Sequence, residues 1–368
     1  MTSFQKRVAS GLSITTVSRD QVQEHFITIT PEKGETPDSQ FQRAAEAVRQ
    51  VDGRIVSVET LGFAPADRNA LQMLTKAVEG GSVPLAWVEN SRTDNLCGVY
   101  VWAVSGTPVR PLSINGRRAG SVFDDGTVQY CRLAGLLPPD IRAGRPEQAA
   151  SVFAQMDSLL QNAGMAFSDV LRTWFYNDNI LGWYKDFNGV RNKFFTDHKV
   201  FEGLLPASTG IGGRNILGAA LMAGVLAIKT DSQDVTAFEV PSPMQSPAPS
   251  YGSSFSRAVE LEVPDLRRMY ISGTASIDEH GKSVFLNDSL AQIRQTMDVV
   301  QAILRNRDMD WGDVTRSLVY FKRAKDAPLF RKYCDESGIP PFPAIIAEND
   351  VCRDELLFEI EVDAVVAK

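Results

Sequence analysis

The segment Phe358 to Val366, FEIEVDAVV, alternates between apolar and acidic residues from Phe358 to Asp363. As a strand it places Phe358, Ile360 and Val362 on one face and Glu359, Glu361 and Asp363 on the other. A carboxyl on a solvated face has an ordinary pKa. Set in an apolar cleft it is pushed up and becomes a general acid; spacing alone favours the solvated strand face for Glu359 and its two acidic neighbours. Cys352 stands seven residues earlier, and Gly273 stands in YISGTAS. By type alone the one is a small buried hydrophobe and the other a backbone requirement. Arg172, Arg214, Arg257, Lys322 and Arg323 are the cations placed to hold an anion, although a solvated surface is the ordinary state of any single one. Arg172 shares its segment with Tyr176, and Arg214 follows the turn TGIGG (Thr209 to Gly213), whose backbone N–H groups can face an anion. His25, His198 and His280 are far apart, with no H-E-x-x-H, no nucleophile elbow and no glycine-rich phosphate loop. The chemistry expected is acid/base catalysis with no metal and no cofactor.

The elements that must position these residues come from a chain of 368 residues, 43% hydrophobic, with a formal net charge of -7 and no block of like charge. That composition supports a large core and two or three domains, and it points away from nucleic acid and membrane surfaces as partners. Four widely spaced cysteines without a C-x-x-C pair, and no secretory signal, predict reduced thiols and a cytoplasmic location. The longest apolar run, Ile216 to Ile228, contains two glycines and is too short to span a bilayer, so it reads as a buried strand or core segment. Helices are expected near Phe41 to Val51 and Arg68 to Val78, and a strand over Leu96 to Val104.

A repeat organises the rest. Val152, Phe153, Met156, Leu159 and Leu160 form a helical stripe followed by GMAFSDVLRTWFY. The same pattern returns 144 residues later as Thr296, Met297, Val300, Ile303 and Leu304, followed by DMDWGDVTRSLVY. Each copy continues with a second helix (Trp183 to Thr196; Ala327 to Glu336), a Pro-Ala step (Pro206-Ala207; Pro343-Ala344) and closing strands. The fold class expected is α/β (α+β), two tandem units, each a mixed sheet with two helices on one face. Residues 1–235 would hold the first, diverged copy, 236–258 a Pro/Ser-rich linker, and 259–368 the second copy.

ISGTASIDEHGKSV, the Asp313 to Tyr320 strand, the FPA step and FEIEVDAVV together resemble the YjgF/RidA-like superfamily, also described as the endoribonuclease L-PSP type. LRTWFY, WYKDFNGVR, LPASTGIGGRN, YISGTAS and DVCRDELLFEIE, in that order, resemble the chorismatases within it, which cleave chorismate to pyruvate and a cyclic acid. The resemblance implies that Glu359 carries the acid/base role. It implies that Cys352 with Gly273 sorts the product towards 3-hydroxybenzoate, and that Arg172, Tyr176, Thr209, Arg214, Arg257 and Lys322 face a small anionic metabolite. A homotrimer or pseudo-trimer is the assembly such units imply. RidA-type deaminases hold a carboxylate with an arginine after the Pro-Ala step. Ser208 and Ile345 stand there, and neither can fork onto a carboxylate. Two alternatives stay open: the same site acting on another small enol or imine acid, and a non-catalytic module that binds a metabolite or assembles with partners.

Overall fold

The computed structural model describes residues 2–62, 82–90 and 96–368. The helix expected at Arg68 to Val78 lies outside the described residues. Three six-stranded sheets follow one another along the chain. The first contains β1 (Ser3–Ala9), β2 (Leu12–Arg19), β3 (Val22–Ile29), β4 (Arg54–Gly62), β5 (Leu85–Val88) and β6 (Leu96–Ser105), with α1 (Pro37–Gln50) between β3 and β4. The second contains β7 (Arg110–Ile114), β8 (Arg117–Asp124), β9 (Gln129–Leu136), β10 (Val170–Asn177), β11 (Ala207–Gly212) and β12 (Leu221–Lys229). Its helices are α2 (Arg145–Asn162) and α3 (Ile180–Asp197). The third contains β13 (Thr236–Val240), β14 (Ala258–Glu262), β15 (Leu266–Ala275), β16 (Val314–Phe321), β17 (Ile345–Glu348) and β18 (Phe358–Ala367), with α4 (Ser289–Arg305) and α5 (Ala327–Glu336).

All three sheets have one strand order: first, second, third, sixth, fourth, fifth. In each, only the fourth and fifth strands are parallel. The fourth strand of each also breaks register near its start, between Ile55 and Ser57, Val170 and Arg172, and Val314 and Arg316; β4 breaks it a second time between Leu61 and Gly62. These matched β-bulges make Ser57, Arg172 and Arg316 equivalent positions. The 144-residue repeat is therefore a true structural equivalence. The first 105 residues add a third unit of the same topology, ahead of the diverged copy expected within residues 1–235. Each unit opens on three strands before its first α-helix. Thr236–Val240, at the head of the stretch expected as a linker, pairs with β14 as the edge of the third sheet. Residues 241–257 then run as a strap.

The helices form where the sequence asks for them. Thr36 caps α1, accepting from the Ser39 N–H, and Pro37 opens its first turn. Before β10 and β16 the same short turn is closed by a carboxylate reaching back three residues, Asp169 to the Ala166 N–H and Asp313 to the Asp310 N–H, both within 2.9 Å. Both apolar stripes are fully buried against their sheets. The helix faces of the three sheets make three separate cores, and a fourth core joins side chains of all three units where the bare faces meet.

That central core is polar at its heart. Arg19 bridges Asp125 and Asp265, tying the three units together at one end. In the middle, Glu59 of the first unit takes Arg132 of the second and Arg316 of the third. The other end, beyond the fifth strands, is an open cleft of about 210 Å³ lined by Glu89, Arg214, Glu348 and Asp350 among others.

Candidate active site

Glu359 sits one residue inside β18 and pairs with Tyr320 of β16 and Ala275 of β15. The strand alternates as expected, with Phe358, Ile360 and Val362 in the helix-side core. Its acidic face points inwards, so Glu359 is only 4% exposed instead of solvated. Burial, with the neighbouring charge of Glu361 adding to it, raises its pKa to about 8, against a smaller opposing pull from Arg172. A carboxyl of that kind holds its proton at neutral pH and can give it up to carbon.

The wall beside it belongs to the second unit, whose β11 lies against β15. Gly273 is bare where it faces Glu359: a Cβ there would stand 2.2 Å from Oε1 and 3.2 Å from Cγ2 of Thr209. The Gly273 N–H donates to the Thr209 hydroxyl at 3.0 Å. Cys352 lies in the loop between β17 and β18. Those two strands are separated in the sheet by β16, so it is this loop, not a tight turn between neighbours, that brings the thiol to Glu359. Burial, helped by Glu359, pushes the thiol up to about 12, so it stays protonated and is a weak nucleophile.

Two residues absent from the sequence-based expectation complete the group. Tyr184 and Arg191, on α3, lie within electrostatic reach of Cys352, and Tyr184 also of Glu359 and Tyr251. Burial raises the Tyr184 phenol well above the range in which it ionises, and lowers the Arg191 guanidinium. Arg191 is 1% exposed, yet its Nε and Nη2 have no hydrogen-bond partner among the described residues. A buried guanidinium with two unpaired donors fits an arriving carboxylate. The sequence does carry a signal for it. Trp183, Phe187, Arg191 and Phe195 recur every fourth residue, which sets Arg191 on the buried face of the helix.

The strap closes one side. Ser254 donates to Asn192 of α3 at 2.5 Å, and Gln245 donates to the Ala275 and Ile277 carbonyls at 3.0 and 3.1 Å. Two guanidinium groups approach the Tyr251 ring, that of Arg257 at 5.4 Å and that of Arg353 at 5.9 Å. Arg257 donates to the Ser246 carbonyl, and Arg353 to the Gly281 carbonyl.

The structure thus gathers Glu359, Cys352, Gly273 and Thr209, and links Arg257 to them through Tyr251. It sends the other expected residues elsewhere. Arg172 is fully buried behind the site, donating to Ile271 O at 2.6 Å and to Thr209 and Glu361 at 3.1 Å. Tyr176 is buried in the central core. Arg214 lies in the acidic cleft at the end of the fifth strands, opposite Glu89. Lys322 is held by Asp354 at 2.6 Å and Arg323 by Asp326 at 2.8 Å. No group of three metal-ligating side chains occurs among the described residues, and no described helix is long and apolar enough to cross a membrane.

The three units do not share this chemistry. Glu359 has Met222 as its counterpart in β12 and Gly98 in β6, each opposite the matching residue of the fourth strand. Gly135, in the place of Gly273, faces the Leu85 backbone. Among the described residues, the acid stands only at the junction of the second and third units.

No protein-family model matches the chain. A 3-hydroxybenzoate synthase of Streptomyces hygroscopicus is 28% identical over 277 residues, covering 68% of this chain and 77% of that protein. A crystal structure of a chorismatase superposes with a TM-score of 0.64 at 18% identity, covering 94% of this chain and 100% of the other. The chain has the fold of that chorismatase and, over 68% of its length, is similar in sequence to a 3-hydroxybenzoate synthase.

Proposed function

We propose that this protein cleaves chorismate to pyruvate and 3-hydroxybenzoate, with Glu359 as general acid and no cofactor. The observation that carries the proposal is the buried Glu359 carboxyl, protonated up to about pH 8, beside an uncovered glycine and a protonated thiol. Breaking an enol ether begins with a proton delivered to its methylene carbon. That proton becomes part of the methyl group of pyruvate. The ether bond breaks at the ring, its oxygen leaving as the keto oxygen of pyruvate. The oxygen of the neighbouring ring hydroxyl closes onto the carbon it vacates and gives its proton to the Glu359 carboxylate, so the acid is regenerated. Opening of that epoxide at its original carbon, with the ring proton moving to oxygen, leaves the aromatic 3-hydroxyl. The two products together contain the atoms of chorismate, and no water is consumed overall.

Chorismate carries two carboxylates. Arg191 has two free donors for one of them, and the Arg257–Tyr251–Arg353 cluster supports positive charge where the second would lie. Cys352 and Gly273 flank the acid, in keeping with a role in steering the ring chemistry. Imine deamination of the RidA type finds no support in Ser208, which is buried, accepts from Thr173 at 2.8 Å and gives its N–H to Ser272 at 2.8 Å. Incubating the purified protein with chorismate, with pyruvate followed enzymatically and the ring product by chromatography, tests the proposal. Absence of pyruvate would leave the fold standing and the substrate wrong.

A further inference from the structure

Arg172 pulls against the raised Glu359 carboxyl, yet its hydrogen bonds go to Ile271, Thr209 and Glu361 and not to Glu359. The reason lies two residues along β18. Glu361 is fully buried and accepts from Arg172 at 3.1 Å, from the Trp174 indole N–H at 3.1 Å and from Arg316 at 2.6 Å. Arg172 also gives Nη1 to the Ile271 carbonyl and Nη2 to the Thr209 hydroxyl, while its Nε has no hydrogen-bond partner among the described residues. Arg316 is in turn fixed by Glu59 of the first unit, with Nε donating at 3.0 Å, and by Asp363 at 3.2 Å. The guanidinium that would otherwise neutralise Glu359 is therefore held away from it, on a frame that spans all three units. The groups facing Glu359 are Glu361 on its own strand, Tyr320 opposite on β16, Arg172 on β10, Tyr184 on α3 and Cys352 on the preceding loop.

We propose that Glu361 is a positioning residue for Glu359: by engaging Arg172 it prevents an Arg172–Glu359 ion pair and keeps the acid able to donate a proton. This rests on Glu359 being the acid of the proposed reaction. In the central frame Glu361 thus acts on the active site, whereas Glu59, on the far side of Arg316, acts only on stability.

The Glu359 carboxyl, followed by NMR of protein labelled at glutamate side-chain carbons and assigned with E359Q, gives a readout that needs no substrate. In the native chain it should titrate near 8. In E361Q its midpoint should move by at least about one pH unit towards the ordinary glutamate range, because the repelling charge of Glu361 is gone and Arg172 is released to pair with it. In E361Q/R172M the high value should return. In E59Q, which breaks the same frame further out, the melting temperature should fall while the Glu359 titration stays in place. An unchanged titration in folded E361Q, a shift in E59Q as large as in E361Q, or no recovery in the double variant would overturn the proposal. If E361Q does not fold, R172M alone decides: the titration should then rise above that of the native chain, and a fall would overturn it. Pyruvate release measured on the same variants separates this from the choice of substrate. A shifted titration with no turnover in the native chain would refute the substrate and not the positioning.

Discussion

A Cβ placed on Gly273 would stand 2.2 Å from the Oε1 atom of Glu359, so the strand from which the acid is approached is cut back to backbone at the point of closest contact. The atom in the way is the end of a flexible side chain, and it can turn aside. G273A is therefore expected to fold, with stability changed by no more than about 1 kcal/mol, the scale of a Gly-to-Ala backbone effect. Its kcat should fall roughly 10- to 100-fold, since a carboxyl displaced by about 1 Å loses its line to the reacting carbon. Thermal melting alongside steady-state kinetics checks both halves.

Glu359 also gives the protein a pH signature that does not depend on substrate. Its folded pKa, about 8, lies above the ordinary glutamate value of 4.5, so the folded state binds the proton more tightly than the unfolded one. The resulting stability is fully present below about 4.5 and is lost as pH rises towards 8. E359Q cannot ionise, and it should gain on the native protein across that window. The gain is on the order of a few kcal/mol, because a tenfold difference in proton affinity between the two states corresponds to about 1.4 kcal/mol. Urea unfolding of both proteins at pH 5 and pH 8 measures the difference. Parallel pH dependences would contradict the burial of a protonated acid.

Arg191 should separate binding from stability. R191M removes a buried guanidinium with two unpaired donors, a group that costs the fold free energy until an anion arrives. Its melting temperature should equal or exceed that of the native protein. KM for the substrate should rise by roughly tenfold or more, the loss expected for a charge-assisted hydrogen bond of about 1.5–3 kcal/mol. R191K should not restore it, because a lysine cannot make the two-pronged contact.

Product choice is the finest expectation. With both Cys352 and Gly273 changed to alanine, pyruvate should still be released, and the ring product should move from 3-hydroxybenzoate towards the dihydroxy diene acid. Chromatography of a single reaction reads both. An unchanged aromatic product would remove these two residues from the steering role.

Much of this is legible in the sequence, for physical reasons that also mark its limits. The second and third units share a helix stripe, a carboxylate-closed turn and an arginine after the bulge, so their equivalence survives at the 144-residue offset. In the first unit the fourth strand starts directly after Gly53 and carries Ser57 where the others carry arginine, so nothing in it betrays the common topology. The alternation of β18 shows which residues share a face, but not that the acidic face is the buried one. That depends on two other sheets covering it. Arg172 reads as a substrate anchor in the sequence because it sits in a conspicuous segment. Its partners, Glu361 and Thr209, are contributed by strands remote in the chain, and only the packed fold shows that they occupy it. Arg191 is within reach of the sequence, as the one charged member of a four-residue aromatic stripe.

Delivery of a proton from Glu359 to chorismate is the central claim. The measurement that meets it most directly is the pH dependence of kcat for pyruvate release by the native protein and by E359Q. The native rate should hold through neutral pH and fall as pH rises through about 8, where Glu359 ionises. The E359Q rate should be lower by roughly 10²–10⁴, with that limb gone. Pyruvate release by E359Q at the native rate, or a native rate that climbs through pH 8, would contradict it.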